Sequence, residues 1–263
     1  MTDWIPEGAD VTIPSAARVY DCLLGGGHNF EADRTFAAKA KEVFPGVDQA
    51  CRANRAFMRR AVLHGLQSGV RQFLDIGSGI PTVGNVHEIA HPVDPEARVV
   101  YVDNEAVAVA HSELILDGNE RATIVSADMC DPDALLKQAE RHLDFDQPIM
   151  LLMLALIHFI PDTERPAELV ARYRDALPPG SHLAITHATA DARPDEMSRL
   201  EALYATSSNP AVARTREWIT DLFGDFELVD PGAVFVPEWR PDHDTLSHPE
   251  NYIFFGGVAR KAA

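Results

Sequence analysis

The sequence predicts an α/β fold built on a doubly wound, mostly parallel sheet. Short runs that are apolar on both faces alternate with amphipathic stretches, a pattern typical of strands covered by helices on two sides. The last two strand-like runs have no helix between them, which indicates an antiparallel pair at one edge of the sheet. With 263 residues, of which 46% are apolar, the chain is long enough to bury a large core.

Residues 1–70 precede the first predicted strand and have a helical pattern. One helical face there is apolar and comprises Phe57, Met58, Ala61, Val62 and Leu66. This segment is either a cap over the ligand-binding edge of the sheet or additional packing. We therefore divide the chain into a helical N-terminal cap or lid segment, 1–70, and a core, 71–263.

Five runs are the predicted parallel strands: 72–77, 98–103, 122–128, 149–154 and 182–188. Amphipathic helices are predicted between them. After the second strand, the predicted apolar stripe comprises Val107, Ala110, His111, Leu114 and Ile115. After the fourth strand, it comprises Leu169, Val170, Tyr173 and Leu177. The C-terminal runs 226–232 and 251–261 are the predicted antiparallel pair.

Charge and cysteine content argue against several classes of partner. The formal net charge of -17 disfavours DNA or RNA, whose phosphate backbone needs a basic track, and suits a small or cationic ligand. Cys22, Cys51 and Cys130 have no CxxC spacing, and the histidines have no metal-binding spacing. We therefore expect no disulfide, no metal site and a cytoplasmic location. The most apolar run, 148–160, is shorter than the about 20 residues that cross a bilayer, so no membrane partner is expected.

A glycine-rich turn after the first strand predicts a cofactor site. Gly77 and Gly79 form a GxG motif, but Thr82 stands where the third glycine of a dinucleotide fingerprint would lie. Asp75, at the end of the strand, would repel a pyrophosphate and would suit a ligand with an ammonium group. The alternative interpretation is a tight strand-to-helix turn that binds no ligand.

Two further acidic residues close the next two strands. Asp103 offers two acceptor oxygens for ribose hydroxyls, and Asp128 can accept a hydrogen bond from an adenine amino group. Alone, Asp103 could equally be a helix N-cap. Together with the turn, these acids fit S-adenosylmethionine, which has an adenosine, a sulfonium and an amino-acid tail but no phosphate. The remaining predicted cofactor contacts in the core are Ser78, Asn104, Met129 and Leu154.

The core resembles the class I S-adenosylmethionine-dependent methyltransferases. The stretch ALIHFIPD, 155–162, is similar to the LHH-x-PD segment that follows the fourth strand in many members. A narrower resemblance, to a bacterial family of uncharacterised S-adenosyl methyltransferases, rests on 15–34, 54–62, 71–88, 97–105, 185–191 and 226–232. That family shares Pro81, where many methyltransferases have a third glycine. The resemblances imply a seven-stranded, Rossmann-like sheet with an antiparallel last strand and binding of S-adenosyl-L-methionine, but no particular acceptor.

Three consecutive glycines, 25–27, interrupt the first predicted helix and indicate a hinge or a close approach of the chain. In one interpretation they belong to a lid: Tyr20 and Asp21 face the cofactor, while His28 and Asn29 border its amino-acid tail or the acceptor. In the other, they form a flexible loop whose polar groups lie on the surface.

Arg34 and His158 each have two possible roles. Arg34 is predicted to bind the carboxylate of the cofactor through its fork of donors, with a surface ion pair to Glu31 as the alternative. His158, directly beyond the fourth strand, is predicted either to form a wall of the acceptor pocket or to act as a base. Together with Tyr20 it is the candidate catalytic residue.

The predicted function is methyl transfer from S-adenosylmethionine to a small-molecule acceptor. A sulfonium is a good leaving group, so close alignment of donor and acceptor can supply most of the rate without a catalytic triad. One alternative is a non-catalytic protein that binds S-adenosylmethionine as a regulator or sensor. The other is an NAD-dependent oxidoreductase on a similar sheet, against which Asp75 and the missing third glycine argue.

Overall fold

The computed structural model describes residues 6, 9–81, 84–242, 248 and 252–262. These residues form eight strands: β1 Gln72–Ile76, β2 Arg98–Asp103, β3 Ala122–Ser126, β4 Ile149–Leu154, β5 His182–Ala188, β6 Glu227–Leu228, β7 Val234–Phe235 and β8 Phe254–Arg260. The strands make one sheet in the order β3-β2-β1-β4-β5-β8-β6, and β7 pairs with β8 as well. The five predicted parallel strands are therefore confirmed.

The sheet is parallel from β1 to β5 and antiparallel at one edge. Strand β8 runs antiparallel to β5, and both β6 and β7 pair antiparallel with β8. The predicted C-terminal pair is thus confirmed as β6 and β8. Strand β7 is an addition to the predicted set, because two residues are too few to give an alternating pattern. Since β1 to β5 are parallel, their carboxyl ends lie at one edge of the sheet.

The described residues also form nine α-helices: α1 Ala16–Leu24, α2 Glu31–Val43, α3 Val47–Gln67, α4 Val86–Ala90, α5 Ala106–Leu116, α6 Pro132–Ala139, α7 Pro166–Ala176, α8 Pro194–Tyr204 and α9 Arg216–Asp221. Local sequence signals fix several ends. Proline begins α6, α7 and α8, where its missing N–H is not needed. Ser15 caps α1, and Gly25 ends it in the left-handed region at φ 88°. Within the described ranges, no helix is both long and apolar enough to cross a membrane.

Helix α5 buries only part of the predicted stripe. Val107 is buried, but Leu114 and Ile115 are 64% and 46% exposed, whereas Ala108 and Ser112 are buried. The prediction was wrong at the C-terminal end of the stripe because the helix is apolar around much of its circumference, so its sequence period does not single out one side. Its packing on β2 and β3 decides which side is covered. In α7 the predicted stripe is buried except at Leu169, which is half-buried.

The predicted apolar face of the N-terminal segment packs against the sheet. All five of its residues are buried in α3: Phe57, Met58, Ala61, Val62 and Leu66. They belong to the same apolar cluster as Phe73 of β1, Met150 of β4 and Ala184 of β5. The segment and the sheet thus share one hydrophobic core, and the domain division at residue 70 stays a prediction.

A buried arginine fastens α1 to the rest of the molecule. Arg18 is 2% exposed, and its Nε donates to Asp33 of α2 at 3.0 Å while an Nη donates to Glu105, before α5, at 2.9 Å. Its remaining donors reach the backbone carbonyls of Asp10 and Ile13. A guanidinium stays charged when buried, so the loss of any of these partners would leave an uncompensated buried charge.

Replacing Arg18 with methionine removes one partner of this buried network and leaves two carboxylates without their cation. We expect the free energy of unfolding in urea to fall by about 3–5 kcal/mol. The matched control is Arg52→Met, which removes an exposed ion pair with Asp48 and should cost at most about 1 kcal/mol. Equal losses in the two variants would contradict the fastening role of Arg18.

Candidate active site

A cavity of about 520 Å3 lies beyond the carboxyl ends of the parallel strands. This is the edge at which open α/β sheets bind ligands, and the volume suits a small molecule. Segments that follow the strands line one side, while α1, α3 and α8 line the other. The predicted site residues that line it are Tyr20, Asp75, Gly77, Ser78, Gly79, Asp103, Asn104, Asp128, Met129, Leu154 and His158.

The turn after β1 depends on its two glycines. Gly77 and Gly79 have φ angles of 71° and 66°, in the region that other residues rarely adopt. The Gly77 N–H donates to the carbonyl of Val102 in β2 at 2.8 Å, and a Cβ at Gly77 would overlap Leu156. Gly79 faces open space. The turn therefore lies close against its neighbours and leaves room on the cavity side. Thr82, which stands at the position of the third glycine in a dinucleotide fingerprint, lies outside the described residues.

Asp103 connects the glycine turn to the end of β2. The Gly79 N–H donates to its Oδ2 at 2.7 Å, and the Glu105 N–H donates to its Oδ1 at 2.9 Å. Burial raises the pKa of the Asp103 carboxyl, while these N–H donors act in the opposite direction. Each carboxylate oxygen accepts more than one hydrogen bond, so Asp103 can hold the turn and still accept from a ligand.

Asp75 is a buried carboxylate on the wall of the cavity. It is 6% exposed, and burial raises its pKa to about 7. The Arg55 guanidinium acts to lower this pKa and the Asp103 carboxylate acts to raise it, but burial has the largest effect. A cationic ligand beside Asp75 would replace the lost hydration of its ionised form.

The loop after β3 brings the third acid to the rim of the cavity. Asp128 is exposed there, and its Oδ1 accepts a hydrogen bond from the Cys130 N–H at 2.9 Å. Met129 is buried, and its carbonyl accepts from the hydroxyl of Tyr173 at 2.8 Å, which fixes the loop. Asn104, after β2, is exposed at the same rim.

The polar residues around the glycines 25–27 lie outside the cavity lining, apart from Tyr20. Asp21 is 1% exposed, and its Oδ2 accepts from the His28 N–H at 2.9 Å and from the Asn29 side-chain amide at 2.8 Å. Arg34 donates to the carbonyl of Asn29 at 2.8 Å. These contacts stabilise the glycine loop, so the structure does not bring His28, Asn29 and Arg34 to the cavity. Their contact with the cofactor stays a prediction.

Sequence analysis missed the contribution of α3 to the cavity. Asn54 and Arg55 both line it, and Arg55 donates to the Gly84 carbonyl at 3.0 Å beside the glycine turn. Asn54 donates to the Tyr20 hydroxyl at 3.1 Å and accepts from the Thr186 hydroxyl of β5 at 2.7 Å. The available signal was a polar Asn-Arg pair at the start of 54–62, beside the buried helical face.

His158 lines the cavity as a neutral imidazole. It is 5% exposed, and burial holds its pKa well below the usual range, with Arg214 and His187 lowering it further. Arg214 also donates to the Ile160 carbonyl at 3.0 Å and to Asp162 at 2.7 Å, which holds the turn around His158. In the part of the chain that the structure describes, no cluster of His, Cys, Asp or Glu is suited to a metal ion.

The family described as S-adenosyl methyltransferase matches residues 2–262. The chain belongs to this family. The protein is therefore an S-adenosylmethionine-dependent methyltransferase, and S-adenosyl-L-methionine as its cofactor is confirmed. A search of curated proteins gave no match.

Two solved structures resemble the methyltransferase over almost its whole length. A protein from Thermobifida fusca YX, provisionally assigned as a methyltransferase, is 39% identical, with 99% of each chain covered and a TM-score of 0.92. A DUF574 family protein from Streptomyces avermitilis MA-4680 is also 39% identical, covering 96% of this chain and 99% of that one, with a TM-score of 0.91. An O-methyltransferase family protein from Burkholderia thailandensis shares the fold at 14% identity, covering 88% of this chain and 59% of that one, with a TM-score of 0.53. The predicted fold class is confirmed.

The cavity of the methyltransferase fits its cofactor on three observations. Two buried carboxylates, Asp75 and Asp103, suit a ligand that carries a sulfonium and an ammonium group. The space beside Gly79 lets a ligand approach the backbone. The Ser78 hydroxyl is buried without a hydrogen-bond partner among the described residues, so a bound polar ligand could satisfy it.

Because the pKa of Asp75 is about 7, cofactor binding should depend on pH. Below that pH the free carboxyl is protonated, and a cationic ligand that favours the ionised form must displace the proton. We expect the affinity to weaken by up to about 10-fold per pH unit from 7 to 5.5. Calorimetry in two buffers of different ionisation enthalpy should record proton release. Asp75→Asn should give a flatter profile, and an unchanged slope in that variant would contradict the assignment.

Proposed function

We propose that the protein transfers the methyl group of S-adenosylmethionine to a small-molecule acceptor in the cavity. The observation that carries this proposal is one continuous cavity with two kinds of lining. The strand ends contribute carboxylates from β1, β2 and the loop after β3, and the helices α1, α3 and α8 contribute mostly apolar side chains. Such a cavity can hold a cationic cofactor and a second ligand side by side.

We assign one acidic residue of the cavity to each hydrogen-bond donor group of the cofactor. Asp75 would accept from the ammonium group, Asp103 from the ribose hydroxyls and Asp128 from the adenine amino group. Arg55, whose contacts lie beside the glycine turn, would bind the carboxylate of the amino-acid tail. A guanidinium is permanently charged and its planar fork matches a carboxylate, which suits this role.

When it is bound, S-adenosylmethionine would supply a methyl group on a sulfonium, which is a good leaving group. The chain therefore has to align the acceptor and exclude water, which can supply most of the rate. His158 is neutral because burial lowers its pKa, so it can accept a hydrogen bond from the reacting group of the acceptor. The Tyr20 hydroxyl donates to the Cys51 carbonyl at 3.1 Å, and burial raises its pKa, so we assign Tyr20 to the cavity wall.

The direct test is incubation of the pure protein with methyl-labelled S-adenosylmethionine and a fractionated extract of small metabolites. We expect label in a small molecule and S-adenosylhomocysteine only when extract is present. His158→Ala should slow this transfer by about 10- to 100-fold without changing cofactor affinity. Binding of the cofactor with no consumption in any fraction would favour a regulator or sensor instead.

Asp103→Asn should weaken cofactor binding by about 100-fold, since it removes the charge from hydrogen bonds to the ribose. Calorimetry with S-adenosylhomocysteine measures this effect. The matched control is Asp117→Asn, an exposed position at the other end of α5, which should leave affinity unchanged. Comparable affinity in both variants would show that Asp103 only holds the glycine turn and the start of α5, whose N-cap is Glu105.

A further inference from the structure

The part of the cavity that faces the N-terminal helices has an aromatic wall. We define this acceptor lobe by Tyr20 of α1, Met58 of α3, Met197, Leu200 and Tyr204 of α8, and Phe159 after β4. The ring centroids of Phe159 and Tyr204 lie 5.5 Å apart, and those of His158 and Phe159 lie 4.3 Å apart. Ring edges and thioethers both contact aromatic faces favourably.

The charges on the cavity lining are almost all negative. Among the described lining residues, six are carboxylates and one, Arg55, is a permanent cation: the carboxylates are Asp75, Asp103, Glu105, Asp128, Glu164 and Glu201. Arg55 lies beside the glycine turn, where it contacts Gly84 and Asn85. The acceptor lobe thus has no described cation that could bind a carboxylate or phosphate, and burying such a group there would be costly.

Several polar groups of the lobe are already engaged with one another. The Asn54 amide donates to the Tyr20 hydroxyl, and the Tyr20 hydroxyl donates to the Cys51 carbonyl. The Asn54 carbonyl oxygen accepts from Thr186. This series of hydrogen bonds uses both the amide N–H and the carbonyl oxygen of Asn54 and the hydroxyl proton of Tyr20. These groups therefore fix the wall of the lobe and offer few hydrogen bonds to a ligand.

Beside the Tyr204 hydroxyl, two groups that can accept hydrogen bonds lie at the lobe, the His158 imidazole and the Glu201 carboxylate. The Val212 N–H donates to the His158 carbonyl at 2.7 Å, and the next N–H, from Ala213, donates to Glu201 Oε1 at 2.6 Å. Consecutive backbone groups thus hold the two residues at the same part of the cavity. A neutral imidazole and a carboxylate both accept hydrogen bonds, so they suit a ligand that donates them.

We infer that the methyl acceptor is an uncharged aromatic molecule that bears a hydroxyl group. This inference rests on the proposed methyl transfer in the same cavity. The aromatic ring packs on Phe159, Tyr204 and the methionines, and the hydroxyl donates to His158. In the reaction the hydroxyl oxygen forms a bond to the methyl carbon, while the sulfonium–methyl bond breaks and leaves its electron pair on sulfur. The hydroxyl proton passes to His158 and from there to solvent.

Binding to the protein saturated with S-adenosylhomocysteine tests this inference without turnover. Three probes differ in one property each: 2-naphthol, 6-hydroxy-2-naphthoate, which adds an anion, and decahydro-2-naphthol, which removes the aromatic rings. By calorimetry we expect 2-naphthol to bind at least about 10-fold more tightly than either of the others. Glu201→Gln should reduce the ratio of the affinities for 2-naphthol and the anionic probe about 10-fold. The substitution removes a negative charge near the anion and keeps an oxygen that can accept from the Ala213 N–H. The control Glu168→Gln, an exposed position on α7, should leave that difference unchanged.

If 6-hydroxy-2-naphthoate bound as tightly as 2-naphthol or more tightly, the inference that the acceptor is uncharged would be wrong. If decahydro-2-naphthol bound as tightly as 2-naphthol, the inference that the acceptor is aromatic would be wrong. No binding of 2-naphthol by protein that binds S-adenosylhomocysteine normally would overturn the inference and leave the proposed function standing. Failure to bind S-adenosylhomocysteine itself would instead overturn the proposed function.

Discussion

The carboxylate of Asp103 is the contact on which the site depends. It accepts hydrogen bonds from Gly79 in the turn after β1 and from Glu105 at the start of α5, so it joins the first two strand ends into one surface. Without it, the glycine turn would keep only its backbone hydrogen bonds from Gly77 and Ser78 to the Val102 carbonyl of β2, and Gly79 would lose its acceptor. The same carboxylate faces the cavity, which makes a structural contact and a ligand contact inseparable at this residue.

The chain of contacts continues from Asp103 into the N-terminal segment. Glu105 accepts from Arg18, and Arg18 also donates to Asp33, so a buried series of charged groups runs from the cofactor side of the cavity to α2. Helix α3 shares its hydrophobic core with the sheet. Helices α1 and α3, which both line the acceptor lobe, are therefore fixed to the sheet and to the start of α5. Alignment of two ligands, on which methyl transfer depends, follows from this rigidity.

Much of the sheet and the cofactor side could be predicted from sequence, because strands buried on both faces and acids at strand ends leave clear local patterns. The rest depends on tertiary contacts. The buried face of α5 is set by its neighbours, since Leu114 and Ala108 are both apolar. Arg55 is indistinguishable in sequence from a surface arginine until α3 is packed. His28 and Asn29 follow three glycines, whose sequence does not fix whether the chain turns towards the cavity or away from it. Hydrogen bonds from both residues to the Asp21 carboxylate hold them against α1.

The most direct test of this account is a crystal structure of the protein with bound S-adenosylhomocysteine. We predict that the ribose hydroxyls donate to Asp103, that the adenine lies beside Asp128, and that the ammonium group faces Asp75 across the turn at 77–79. The apolar side chains of α1, α3 and α8 should then enclose an open space next to the sulfur. A ligand bound elsewhere, or one whose ribose makes no contact with Asp103, would contradict the account.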